Sequence, residues 1–208
     1  IKFINHSSSQ DQRFVVGAGF FLNVFITLIS ALLLLIFTPF LAVFLRAPQL
    51  ESMLYILQAG LVLMIPFSHF EWLMYSQGLF KGLFWTYFFR QGITFALVFF
   101  IYLVNTKVPL NVLVIIYNIG LLAGTLVSWR YVRQLLVRSY VFSKEWVLKL
   151  AHFGKYVFTS GISTLVFRSA DQIMLSPLLG TTTYNASQNI AMRFINLSDL
   201  PSQTLGDI

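Results

Sequence analysis

Long apolar runs without a charged residue restrict most strongly how this chain can fold. Between Arg13 and Arg46 lie 32 uncharged residues, which as an α-helix would extend about 48 Å, whereas the hydrocarbon core of a bilayer is about 30 Å thick. A second uncharged run occupies 108–129, and two further apolar runs, 52–75 and 79–104, contain few charges. In hydrocarbon every backbone polar group needs a partner within the chain, which a helix provides. The runs therefore predict an all-α, polytopic membrane protein.

The composition agrees with a chain that resides in lipid. Hydrophobic residues make up 57% of the chain and charged residues 10%, whereas a soluble domain carries about 25% charged residues. Two further runs, 156–179 and 185–205, bring the predicted transmembrane helices to about six. Pro39 should bend the long first run, because proline removes a backbone donor and clashes with the preceding turn. Gly78 and Gly82 are predicted to form the turn between the second and third runs.

The segment 130–155 interrupts this apolar pattern. It holds six basic residues and one acid, Glu145, so it cannot lie in hydrocarbon. Ser143 precedes a stretch with alternating apolar and basic residues, and its hydroxyl is a favourable helix cap. We predict an amphipathic surface helix here, anchored in the membrane interface by Trp146.

The basic residues concentrate on one side of the predicted bundle. If successive runs cross the membrane, nine of the 14 Lys and Arg fall on one side, two on the other and three within the runs. The positive-inside rule assigns the nine to the cytoplasm. Topology and anionic membrane lipids thus explain the net charge of +7, and no nucleic-acid partner is predicted. The nine are Lys2, Arg13, Lys81, Arg130, Arg133, Arg138, Lys144, Lys149 and Lys155.

Apart from Lys81 at the start of the third run, six charged residues fall inside the predicted spans. Each costs at least about 2.5 to 3.5 kcal/mol at the bilayer centre unless it faces a protein interior or a watery cavity. Arg168 and Asp171 are three residues apart, which places them on one helix face within reach of an ion pair. Glu71 and Arg90 are equidistant from the predicted turn and are candidates for a pair across two helices. Such pairs either hold helices together or serve function, and the residues alone leave both open. The six are Glu71, Arg90, Arg168, Asp171, Arg193 and Asp199.

Metal and cofactor chemistry is not predicted. The chain has no cysteine, which excludes disulfides and thiolate metal ligands within it. Its three histidines, His6, His69 and His152, are scattered along the sequence. His69 is interpreted as a packed or interfacial side chain rather than a proton relay.

Several stretches resemble the oligosaccharide flippases of the bacterial polysaccharide export group. The most specific are HFGKYVF at 152–158 and FRSADQIML at 167–175. Upstream, PFSHFEW at 66–72 and FWTYFFRQG at 84–92 match as well, and shorter matches follow at 178–180, 184–185, 191–193 and 200–201. The resemblance covers nearly the whole chain. It places the chain in the superfamily of multidrug, oligosaccharidyl-lipid and polysaccharide exporters.

The resemblance implies a transporter with twelve or more helices in two lobes around a central cavity. Because the chain starts at Ile1 and not at methionine, we expect an internal fragment holding about helices three to eight. Residues 1–129 would then end the N-terminal lobe, with about four transmembrane helices. The basic segment 130–155 would be the cytoplasmic connection between lobes, and 156–208 would start the C-terminal lobe.

The substrate implied by the resemblance is an oligosaccharide on a polyprenyl diphosphate carrier, moved across the bacterial cytoplasmic (inner) membrane. A diphosphate favours bidentate guanidinium donors, and the lipid tail can stay in the bilayer. The substrate-binding candidates are Arg168, Arg193 and Arg90. Asp171 is expected to orient Arg168 or to bind a coupling cation, proton or sodium, and Glu71 and Asp199 are further candidates for a coupling-ion site or charge pair.

Two alternative functions are compatible with a chain of this kind. A drug or cation antiporter of the same fold would prefer an acidic, aromatic cavity, and charge alone does not separate it from a flippase. A membrane-embedded glycosyltransferase or polymerase needs a carboxylate base or metal site, usually in a sizeable extracytoplasmic loop. The predicted outward connections, 46–51 and 105–110, are short and hold one acid. We therefore predict that the chain is not an enzyme.

Overall fold

Five α-helices form the part of the chain that the computed structural model describes, residues 11–104, 108–136 and 141–179. No strand occurs in these ranges, so the predicted all-helical fold class is confirmed. The helices are α1 (Asp11–Phe44), α2 (Gln49–Ser76), α3 (Phe80–Val104), α4 (Leu110–Leu136) and α5 (Lys144–Leu179).

Helices α1 to α4 are long and apolar enough to cross a membrane, as the first four runs predicted. With 25 to 34 residues they extend about 38 to 51 Å, more than the hydrocarbon thickness. Helix α5 is not among these four candidates over its described residues, and the segment from Tyr156 contains Arg168 and Asp171. The span predicted from Tyr156 therefore stays a prediction. The predicted sixth run, 185–205, lies outside the described residues.

The surface helix and the fifth run form one continuous helix, α5. The predicted cap at Ser143 is confirmed: its carbonyl oxygen accepts from the backbone N–H of Val147 at 3.0 Å, and its Oγ from that of Trp146 at a long 3.5 Å. Helix α5 continues without a break through Tyr156, and α4 runs past Trp129 to Leu136. The assignment of 1–129, 130–155 and 156–208 to two lobes and a connection stays a prediction.

A tight turn joins α2 and α3 at Gly78, whose φ of 65° lies in the left-handed region that glycine adopts without a steric cost. The turn closes with a hydrogen bond from the Leu79 N–H to the Met74 carbonyl, 2.9 Å long. The prediction that Gly82 belongs to this turn is wrong. Gly82 is buried inside α3, where an added Cβ would lie 3.0 Å from Met74 Sδ and 3.1 Å from Tyr131 Cγ. Its function is close packing.

Helix α1 runs through Pro39 without ending. The hydroxyl of Thr38, the residue before Pro39, donates a 2.6 Å hydrogen bond to the carbonyl of Leu34, and Thr38 is fully buried. This local bond satisfies a hydroxyl that would otherwise be costly in an apolar environment. The bend predicted at Pro39 stays a prediction.

The helices pack with α4 against both α2 and α3, α1 against α2, and α5 against α1. A buried core lies near the end of the bundle that holds the Gly78 turn, and consists of Val16, Phe70, Leu73, Met74, Leu83, Val132 and Leu136. Elsewhere large apolar side chains face outward, among them Phe25, Leu32, Phe95 and Phe100. Such a surface is unfavourable in water and favourable against acyl chains.

Candidate functional site

Polar and aromatic side chains from three helices meet inside the candidate spans. We call this group the arginine–tyrosine cluster. It consists of Phe67 and Glu71 on α2, Tyr87 and Arg90 on α3, and Tyr117 on α4. Phe67 and Glu71 are four residues apart and Tyr87 and Arg90 three apart, so each pair shares one face of its helix.

Arg90 is held by aromatic residues on both neighbouring helices. Its Nη2 donates a 2.9 Å hydrogen bond to the hydroxyl of Tyr117. Its Cζ lies 4.7 Å from the ring centroid of Phe67 and 5.6 Å from that of Tyr117. Aromatic faces attract a guanidinium through their quadrupoles, by about 0.5 to 2 kcal/mol depending on desolvation. These contacts stabilise a cation that is half-buried between the helices.

Glu71 also contacts a tyrosine. The Tyr87 hydroxyl donates a short hydrogen bond to Glu71 Oε1. The direct pair of Glu71 and Arg90, proposed from their symmetric register, is not formed: no ion pair joins them in the described part of the chain. Tyr87, one helical turn before Arg90, donates to the Glu71 carboxylate instead. Glu71 and Arg90 are therefore each hydrogen-bonded to a tyrosine hydroxyl.

The position of Arg90 depends on a close approach of α3 and α4. An added Cβ on Gly124 would lie 3.0 Å from Arg90 Cβ, and one on Gly120 would lie 2.8 Å from the Arg90 carbonyl oxygen. Small residues four apart allow two membrane helices to pack backbone to backbone. On α3 the facing positions are Thr86, Arg90 and Thr94, also four apart. The sequence shows two glycines four residues apart, and the structure shows that both face Arg90 on the neighbouring helix.

The cluster leaves part of the guanidinium available for a ligand. Arginine carries five N–H donors, and within the described residues one of them is used, by Tyr117. No carboxylate forms an ion pair with Arg90 among those residues. The arrangement therefore provides a positively charged, hydrogen-bonding group inside a membrane span, suited to an anionic ligand.

Two asparagines join neighbouring helices elsewhere in the bundle. Asn23 on α1 donates through Nδ2 to the Ile65 carbonyl at 3.0 Å and to Ser68 Oγ at 2.9 Å. Asn118 on α4 donates through Nδ2 to the Ile56 carbonyl at 2.9 Å. Hydrogen bonds of this kind contribute roughly 0.6 to 2 kcal/mol to helix association in membranes. Sequence reasoning missed both asparagines, although a polar amide inside an apolar run was the available signal.

Sequence reasoning missed Tyr87 and Tyr117 as well, because neither carries a charge that stands out in an apolar run. A tyrosine in an apolar run is a weak signal for a site, because tyrosine is enriched at membrane interfaces. His69, interpreted from sequence as a packed side chain, is buried, with its ring centroid 4.9 Å from that of Phe20. That interpretation is confirmed.

The structure does not describe the side chains of the remaining predicted site residues, so their roles stay predictions. Arg168 and Asp171 lie on the continuous helix α5, three residues apart, and their side chains are outside the described part. Arg193 and Asp199 lie outside the described residues altogether. Over the described ranges, no three His, Asp or Glu residues are close enough to hold a metal ion.

A comparison with protein families gives one match that covers almost the whole chain. A family model described as "Polysaccharide biosynthesis protein" matches residues 1–198. The matched range includes α1 to α5 and every residue of the arginine–tyrosine cluster. No curated protein and no solved structure matches the chain.

Proposed function

Since this chain belongs to the polysaccharide biosynthesis protein family, we propose that it moves an oligosaccharide linked to polyprenyl diphosphate across the bacterial cytoplasmic membrane. The family match confirms the resemblance found in the sequence. Together with the four candidate spans it identifies a multi-pass membrane protein of polysaccharide biosynthesis or export. The substrate, the direction and the identity of the membrane belong to the proposal.

Arg90 is the observation that supports this substrate most directly. It lies inside a candidate span, is held by aromatic rings and a hydroxyl, and has no acidic partner among the described residues. A cation at this depth is costly, so a charge that is retained inside a span commonly marks a functional site. A diphosphate offers oxygens that match the guanidinium donors, and its polyprenyl tail can remain in lipid during transfer.

The other charged residues have supporting roles in this proposal. Arg168 and Arg193 are proposed to bind the diphosphate during its transfer across the membrane, and Asp171 is proposed to orient Arg168. Glu71 is proposed as a protonation site or a charge that orders the cluster through Tyr87. A coupling cation, proton or sodium, would act at Glu71, Asp171 or Asp199.

The direct test uses the full-length protein in proteoliposomes. Movement of a polyprenyl-diphosphate oligosaccharide is measured beside efflux of a cationic dye, with a proton or a sodium gradient imposed in separate samples. We expect movement of the lipid-linked sugar and none of the dye. Dye efflux without movement of the lipid-linked sugar would contradict the proposal and favour the antiporter.

A matched pair of variants tests the role of Arg90. Arg90→Gln removes the intramembrane cation, and Arg133→Gln removes an exposed cation near the end of α4. Because a hydrogen bond to a charged group contributes about 1.5 to 3 kcal/mol, we expect Arg90→Gln to lower transport about tenfold or more. Arg133→Gln should transport as the parent protein does. Equal transport by both variants would remove Arg90 from the substrate path.

A further inference from the structure

A groove of about 460 Å³ opens between α3 and α4, and none of its lining residues belongs to the arginine–tyrosine cluster. Its apolar part is open to the surroundings: Leu126 is 62% exposed and Phe89 is 41% exposed. Both helices are candidate membrane spans, so an exposed apolar surface between them is suited to contact with acyl chains. The lining residues are Trp85, Phe89, Leu126, Val127, Arg130 and Tyr131.

The polar end of the groove lies at the level of lipid headgroups. About 20 helical residues cross the hydrocarbon core, so a helix that begins at Leu110 leaves the core near Trp129, one residue before Arg130. On the facing helix, Trp85 lies five residues after the start of α3. Tryptophan and tyrosine are enriched at this depth, because their rings are amphipathic.

The charge around this end suits an anion. Arg130 is exposed and makes no hydrogen bond or ion pair with another described residue. The described lining holds no carboxylate. Exposed Lys81 lies at the same end of the bundle, on the side that the positive-inside rule assigns to the cytoplasm.

We infer that this groove binds one anionic phospholipid of the cytoplasmic leaflet, of the phosphatidylglycerol class. Its phosphate accepts hydrogen bonds from the Arg130 guanidinium, and an acyl chain lies along Trp85, Phe89 and Leu126. Basic pockets between membrane helices on the cytoplasmic side are suited to anionic headgroups. This site is separate from the proposed transport path and does not depend on it.

A single phosphodiester charge fits this groove better than a diphosphate does. The described lining offers one cation, Arg130, which balances the one negative charge of a phosphodiester. A polyprenyl diphosphate would bring additional charge with no second cation in the lining to meet it, and the desolvation cost of that charge would be unbalanced.

The test measures lipid binding to the purified full-length protein by native mass spectrometry. Phosphatidylglycerol and phosphatidylcholine, with identical acyl chains, are titrated against the parent protein, Arg130→Gln and Arg133→Gln. The two variants remove the same charge from the same helix, three residues apart, and only Arg130 lines the groove. We expect tighter binding of phosphatidylglycerol, weakened about fivefold by Arg130→Gln and unchanged by Arg133→Gln.

Three results would overturn the inference. Equal binding of both phospholipids would show that the headgroup charge is not recognised. Equal losses in the two variants would show a general effect of surface charge. Displacement of phosphatidylglycerol by a polyprenyl diphosphate, dependent on Arg130, would assign the groove to the transport path. A thermal unfolding scan of each variant checks that a loss of binding is not a loss of folding.

Discussion

The Cβ of Arg90 lies 3.0 Å from the point where a Cβ on Gly124 would stand. The same point is 3.1 Å from Cε2 of Phe67, so α2, α3 and α4 meet at this glycine. The guanidinium of Arg90 extends from that contact to the Phe67 ring and the Tyr117 hydroxyl. The location of the intramembrane charge thus depends on the absence of a side chain on the neighbouring helix.

We therefore predict that Gly124→Leu separates α3 from α4. Overpacking of a well-packed contact costs about 1 to 3 kcal/mol, which should lower the free energy of unfolding in detergent by that amount. Gly92→Leu on α3 is the control, because nothing lies within 4 Å of an added Cβ there. If both variants unfold alike, the close approach at Gly124 is not what holds these helices together.

Tyr87→Phe should destabilise the contact between α2 and α3. It removes the hydroxyl that bonds to Glu71 and leaves a carboxylate in an apolar environment without that donor. We expect a loss of roughly 0.6 to 2 kcal/mol in the free energy of unfolding. Tyr102→Phe is the control, because that side chain is 66% exposed. An unchanged free energy in Tyr87→Phe would contradict the structural role of this hydrogen bond.

Substitutions at Tyr117 separate its two contacts with Arg90. Tyr117→Phe keeps the ring under the guanidinium and loses the 2.9 Å hydrogen bond, whereas Tyr117→Leu loses both. We expect the leucine variant to be less stable than the phenylalanine variant by about 0.5 to 2 kcal/mol, the range of a cation–π contact. Chemical unfolding of the two proteins measures the difference. Equal stabilities would show that the aromatic face contributes nothing.

The topology is testable by cysteine labelling, since the chain itself contains no cysteine. Gln77 lies in the turn between α2 and α3, and Gln49 lies at the start of α2; both are exposed. The positive-inside rule predicts that Gln77→Cys is cytoplasmic and Gln49→Cys external. In intact cells, a membrane-impermeant maleimide should therefore label Gln49→Cys and not Gln77→Cys. The reverse pattern would invert the orientation of the bundle.

The sequence alone determined the helices and the environment in which they fold. A run of more than 20 residues without a charge can be read directly from the sequence. In hydrocarbon such a run forms a helix, because a helix satisfies its backbone hydrogen bonds within the segment. For the same reason the Gly78 turn and the Ser143 cap were predictable, because each depends on residues next to it in the chain. The continuity of α5 through Tyr156 was not predictable, because an amphipathic segment and the apolar segment after it can form either two helices or one.

Only the tertiary structure decided which side chains meet. Equal distance from the turn suggested that Glu71 would pair with Arg90, but Tyr87 takes the carboxylate, and the arginine bonds to Tyr117, 27 residues further along the chain. Partners on different helices depend on how far each helix is rotated and how closely it packs. At Arg90 that distance is set by Gly120 and Gly124, whose effect exists only once α4 lies against α3.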